Sequence, residues 1–156
     1  MVVKVTPAYP YHILLLLENI RPEDVKEMEA LGLGVQEAVT KSLNNSVTAW
    51  TGWVDDQVVC MFGVGIGQDY NTGLPWMFGS TLVDRYEKIF LRRCKPYVDK
   101  MLIFFPMLVN FVDCRNVRAV KWLKWLGFTF DPECLPIGKN GEYFYRFWKK
   151  NESTCR

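Results

Sequence analysis

A chain of 156 residues, 49% hydrophobic and 15% aromatic, has ample material for one packed core and is too apolar for a disordered segment. Its formal net charge of +2 is too mild for a dedicated nucleic-acid binder. The apolar run 13–17, closed by Glu18, falls short of the roughly 20 residues of a membrane span and the about 7–15 of a signal peptide, so a soluble protein with no membrane insertion is expected.

Five cysteines, Cys60, Cys94, Cys114, Cys134 and Cys155, include no CxxC pair, and His12 is the single histidine. That set gives little support to a zinc site and predicts free, mostly buried thiols in a reducing compartment.

In chain order, residues 2–6 alternate weakly and predict a first strand, ended by Pro7 and Pro10. Residues 11–19 predict a helix. A second helix opens at Arg21-Pro22-Glu23-Asp24, with proline at the first helical position and acids in the first turn, and stops at Gly32 and Gly34. Residues 35–43 add a helical turn or two before Asn44-Asn45-Ser46 breaks the chain. The β-rich runs 47–54 and 58–66 flank the polar turn Asp55-Asp56-Gln57 and predict a hairpin. Gly63 and Gly65 alternate within the second run and Gly67 follows it in step, where absent side chains permit a bulge or a close backbone approach.

Residues 69–73 read as loop and 74–79 as a short apolar strand. Ser80 and Thr81 can cap a long basic helix over 82–104, which Pro96 is expected to kink or divide and Pro106 to end. A strand over 107–114, a helix over 116–126 and a strand over 128–130 follow. Pro132 and Pro136 then punctuate a loop before a last strand of alternating aromatics over 142–148. The sum is one α/β domain (mixed α+β) over 1–150, with helices covering a central sheet, and a polar tail over 151–156.

The segment 116–128 has the most order. Asn116 is placed to cap a helix, Ala119 permits close helix–sheet packing, Gly127 suits a C-cap and Phe128 re-enters the core. Cys114 beside Arg115 reads as a buried thiol, or as one activated by the neighbouring charge, and His12 as a satisfied structural histidine. The cations Arg85, Lys88, Arg92, Arg93 and Lys95, with Arg115, Arg118, Lys121 and Lys124, read first as solvated helical faces. Anion binding, nucleic acid or an acidic partner are the functional alternatives.

Asn116, Ala119 and Leu126-Gly127-Phe128, in this order of elements, resemble the second conserved block of the acetyl-CoA-dependent N-acetyltransferases, the GNAT superfamily. Pro75-Trp-Met-Phe-Gly79, Asp99-Lys-Met101, Val109-Asn-Phe-Val112 and Trp122-Leu-Lys-Trp-Leu-Gly-Phe128 resemble a small acetyltransferase-like group carried by tailed bacteriophages. That group is distantly similar to internal virion protein A of short-tailed phages. The resemblance covers 74–150 by motif and 1–45 by element order.

The resemblance implies a GNAT-like fold, a mixed sheet of about six or seven strands whose fourth and fifth members splay apart. It implies acetyl-CoA or CoA as ligand, with no metal, held by Trp76, Met77, Phe78, Gly79, Ser80, Thr81, Arg85 and Asn116. Met77 and Phe78 would meet the pantetheine amides, and Ser80 and Thr81 the pyrophosphate at a helix start. Binding of the CoA 3′-phosphate is then one of the functional alternatives for the basic residues of the two helices. The resemblance also implies a phage protein of the host cytoplasm or the virion, with a host or virion protein as partner.

Two departures bear on catalysis. The segment 79–85 lacks the second and third glycines of the family's phosphate loop and places Asp84 near the anion. The position of the family's proton-donating Tyr holds Leu123. Asp113 and Glu142 are the candidate general bases, each also readable as a strand-end or turn residue, and no catalytic residue is assigned. The expected functions are an acyltransferase-like protein that acetylates an amine, or a non-catalytic interaction protein acting as an internal virion component or modulator of a host protein. Nucleic-acid binding by the basic helices is weaker.

Overall fold

The computed structural model describes residues 1–152; residues 153–156, with Cys155 and most of the expected tail, lie outside the described residues. The elements run β1 (Val3–Pro7), α1 (Pro10–Leu17), α2 (Pro22–Ala30), α3 (Val35–Asn44), β2 (Ser46–Val54), β3 (Gln57–Ile66) and β4 (Thr72–Gly79) in the first half. Then come α4 (Leu82–Arg85), α5 (Glu87–Phe104), β5 (Met107–Asp113), α6 (Val117–Trp125), β6 (Thr129–Leu135) and β7 (Phe144–Lys150). The strands form one seven-stranded sheet in the order β1-β2-β3-β4-β5-β7-β6. Every neighbouring pair is antiparallel except β4 and β5, which are parallel.

Local chemistry explains most boundaries. Pro22 opens α2, and Gly127, at φ +96°, closes α6. The Phe128 N–H reaches the Leu123 carbonyl and the Gly127 N–H that of Lys124, which satisfies the last carbonyls of α6. Close backbone approach explains Gly63, where a Cβ would lie 2.7 Å from the Thr48 carbonyl oxygen. The register shift there falls between Ser46 and Thr48, on the β2 side of the pair.

Several expectations need correction. The expected turn or two over 35–43 is a full helix, α3, of ten residues, Val35–Asn44. The basic helix is divided at Tyr86 (φ −110°, ψ 21°), while Pro96 lies within an uninterrupted α5. Pro96 and Arg92 are exposed, so water can satisfy the carbonyl that proline leaves unpaired. Pro132 lies inside β6, an edge strand with a register shift between Phe130 and Cys134, where a missing N–H is tolerated.

Two apolar clusters flank the sheet. One packs α5 and α6 against residues such as Val59, Phe62, Leu108, Val112 and Phe147. The other packs α1 and α3 against Trp53, Val58, Met61 and Phe78. No helix among the described residues is long and apolar enough to cross a membrane.

Candidate active site

The parallel strands β4 and β5 pair at Thr72–Met107 and Gly73–Leu108 and then part. At the fork, the Asn110 side chain takes the place of a ladder rung. Its Nδ2 donates to the Pro75 carbonyl at 2.8 Å, and its Oδ1 accepts the Phe111 N–H at 2.8 Å. Past that bridge a cavity of about 330 Å³ opens between the strands, within the size range of small-ligand sites.

Two carboxylates from α2 enter the gap. Asp24 Oδ2 accepts the Gly79 N–H of β4 at 2.7 Å, and Glu27 Oε1 accepts the Asp113 N–H of β5 at 2.8 Å. Their spacing, three apart on a helix, stacks both on one face. Burial pushes Asp24 up to about 6 against the pull of Arg21 and the Gly79 N–H. Burial likewise pushes Glu27 up to about 7, opposed by the Asp113 N–H and reinforced by repulsion from Asp24 and Asp113. A carboxyl in a cavity that gives up its proton near neutrality suits a general base.

Arg21 fixes this arrangement from within. Its side chain is 1% exposed, with Nη1 3.0 Å from Asp24 Oδ1 and Nη2 2.9 Å from Glu23 Oε2. The guanidinium lies over the Trp122 ring, 4.7 Å from its centroid. Nε has no hydrogen-bond partner and lies 3.6 Å from Asp84 Oδ1. The Arg21 N–H donates to the Gly79 carbonyl at 2.9 Å, so main chain and side chain together dock the start of α2 on the end of β4.

Strand alternation sorts the cavity walls. Trp76 and Phe111 share the α2 side with Met28, Leu31 and Ile137, whereas Met77 joins the cluster beneath α5 and α6, with Ala119, Trp122 and Leu123. The cavity therefore runs through the sheet, with the two carboxyls of α2 at its waist. Alternation also decides which backbone groups face the gap. The Pro75 and Gly79 groups do, through Asn110, Asp24 and Arg21. Met77, between them, points the same way. Phe78 is turned towards Met61 of β3, which corrects the expectation that both Met77 and Phe78 face the slot with their backbone.

The expected phosphate cradle has its donors occupied. Gly79 N–H goes to Asp24, Ser80 to the Val59 carbonyl, Thr81 to Asn19, Leu82 to Ser80 Oγ, Val83 to Ser80 and Asp84 to Thr81. Ser80 is buried, its hydroxyl 3.0 Å from the Val59 carbonyl. Arg85 is exposed and lies over the Tyr86 ring. Asn116 occupies the N-cap position of α6, but its side chain makes no cap bond. It turns instead to Arg21 Nη2, at 3.4 Å, and Asp24 Oδ1, at 3.5 Å, which corrects the expected capping role.

Neither carboxylate singled out in the sequence faces the cavity. Asp113 is buried and gripped by Arg115 at 2.7 Å; burial works to raise its pKa, but Arg115 holds it below the usual range. Glu142 Oε1 accepts the Asn140 N–H within the β6–β7 loop. The Cys114 thiol is pushed up to about 11, by burial first and then by Cys134 and Asp113, so Arg115 does not activate it. His12 is structural, its Nδ1 2.8 Å from Thr51 Oγ1. Asp24 and Glu27 were missed because acids at the start of a helix have a sufficient explanation in the dipole. Their signal was the face they share with Met28 and Leu31.

No protein-family model matches the sequence, and no curated protein matches it. The fold does have relatives. Ribosomal-protein-alanine N-acetyltransferase from Brucella melitensis superposes with a TM-score of 0.71 at 11% identity, over 95% of this chain and 99% of that one. Spermidine N-acetyltransferase from Vibrio cholerae gives 0.69 at 8%, over 99% and 96%. A Bacillus subtilis acetyltransferase, solved in complex with CoA, gives 0.62 at 10%, over 96% and 97%. With its mixed sheet and diverging β4 and β5, the chain has the GNAT acetyltransferase fold.

Proposed function

We propose that the protein binds acetyl-CoA and transfers its acetyl group to an amine. The observation that carries this reading is the fork between β4 and β5, with Glu27 at its waist. Acetyl-CoA would supply an activated thioester carbon. The residues fit the thioester end of such a carrier: Met77 turns main-chain groups into the gap, and Ala119 and Leu123 line the α6 side. At the phosphate end the amides of 79–84 are occupied, which leaves the first-turn amides of α5 and side chains such as Arg85 to meet it.

In the transfer, the amine nitrogen bonds to the carbonyl carbon as the carbon–sulfur bond breaks. Glu27 takes the proton lost by nitrogen, and the departing sulfur gains its proton from water, since Leu123 has none to give. The test is calorimetric titration with acetyl-CoA, followed by turnover against pH. Turnover should rise to a plateau above about pH 7, and Glu27→Gln should lower kcat about 10²–10⁴-fold. An unchanged profile in that variant removes Glu27 from the role, and no binding at millimolar acetyl-CoA removes the reading.

A second reading is a non-catalytic interaction protein. The Asp24 hold on the Gly79 amide and the apolar Leu123 favour it. The phage setting, and with it a host or virion partner and a place in the host cytoplasm or virion, rests on the sequence resemblance alone. Mass spectrometry of purified virions tests that part.

A further inference from the structure

On the α2 side, the mouth of the cavity is lined by Met28, Leu31, Trp76, Phe111 and Ile137. Leu31, Phe111 and Ile137 are 39%, 36% and 43% exposed. Large apolar side chains that rim a concave site and remain in water point to a ligand that covers them. The acids on this side are Glu27, whose carboxyl stands at the floor, and Asp24, whose oxygens already hold Arg21 and the Gly79 N–H. The mouth thus offers one anionic point beneath an apolar collar.

The collar is also closed on one side. The Lys139 N–H donates to the Ala30 carbonyl at 2.7 Å, which ties the β6–β7 loop, and Ile137 with it, to the end of α2. Gly32, at φ +82°, lies beside this tie, where a Cβ would be 3.8 Å from Lys139 Cδ. A walled chamber suits a compact molecule better than an extended chain. A polycation would need a row of carboxylates, and the rim carries none.

Resting on the acetyl-transfer reading of this same cavity, we infer that the acceptor is a small primary amine carried on a bulky apolar body, aromatic or branched aliphatic. The ammonium group sits at Glu27, and the apolar body lies among Leu31, Trp76, Phe111 and Ile137. Glu27, ionised at slightly alkaline pH, attracts the cation and takes one proton from it, which frees the nitrogen lone pair; the second N–H proton is lost to water as the carbon–nitrogen bond forms, and the departing sulfur takes its proton from water.

The test is binding, measured without acetyl-CoA. Calorimetry at pH 8 would compare 2-phenylethylamine, spermidine and an Ala-rich peptide with a free N-terminus. The phenylethylamine should bind at least about tenfold more tightly than either competitor. Ile137→Ser and Leu31→Ser, both at exposed positions, should weaken it by about tenfold, and affinity for acetyl-CoA should not change in these variants. Spermidine or peptide binding as tightly as phenylethylamine, or rim variants without effect on it, overturns the inference. Phenylethylamine binding in a protein that ignores acetyl-CoA overturns only the transfer reading, so the two failures are distinct.

Discussion

Asp24 and Glu27, three residues apart on α2, accept amide protons from opposite sides of a fork in the sheet, Gly79 on β4 and Asp113 on β5. Each stands where the missing strand partner would have placed a carbonyl oxygen. A helix thereby supplies the acceptors that the diverging strands cannot give each other. The result is a gap held open with its nearest polar groups satisfied and two acidic groups at its centre.

Glu27 makes stability depend on pH. Its carboxyl is raised in the fold from 4.5 to about 7, so between those values the folded chain binds more protons than the unfolded one. The stabilising contribution is therefore full below about pH 4.5 and is lost as pH rises through 7. Glu27→Gln keeps an oxygen for the Asp113 N–H and has no charge to bury. It should match the wild type near pH 4.5 and exceed it by up to about 3 kcal/mol at pH 8, as read by urea unfolding at each pH. A stability difference that does not vary with pH would sink this account.

Arg21 and Asp24 should behave as a unit. Arg21→Met leaves a buried carboxylate without its cation, and should cost about 3–5 kcal/mol. Adding Asp24→Asn should recover a good part of that loss, because the second change removes the stranded charge. A double-mutant cycle from equilibrium unfolding decides it; additive losses would mean that the two side chains are not coupled.

Gly73 forms the last rung before the fork, and it has no room for a methyl group. A Cβ there would lie 2.5 Å from Phe105 Cδ2 and 2.8 Å from Val64 Cγ2, both in buried residues. Gly73→Ala should cost about 1–3 kcal/mol by overpacking and should start the divergence one rung earlier. A thermal scan with hydrogen exchange at Leu108 checks both effects. An unchanged melting temperature would show that the core yields there at no cost.

Asn110→Ala removes the bridge at the fork. It should cost about 1 kcal/mol per bond lost and raise exchange at the Phe111 amide, with the β5–β7 ladder unaffected. Equal protection at Phe111 in both proteins would assign the closure of the fork to the flanking strands alone.

The elements of the fold were legible because proline, glycine and alternation mark local conformation. Pro22 set the start of α2, Gly127 ended α6, and the β2–β3 hairpin followed from its apolar runs around Asp55. The break at Tyr86 was not legible, since no proline or glycine marks it, and Pro96 drew attention to the wrong turn. The fork was expected from resemblance, whereas its carboxylates were invisible. Whether Asp24 caps its own helix or reaches a strand 55 positions away is settled by packing between distant segments, which spacing along a chain does not encode. Asn116 shows the same limit, its role drawn away by Arg21, 95 positions earlier.

The consecutive main-chain donors from Gly79 to Asp84, all engaged within the protein, bear on how much of a carrier molecule it can sense. Recognition would concentrate on the reactive tip and the arm next to it, leaving the nucleotide handle to the first turn of α5 and to exposed side chains such as Arg85. A truncated thioester such as S-acetylpantetheine should then serve almost as well as the full-length donor, and added salt should erase most of what difference is left.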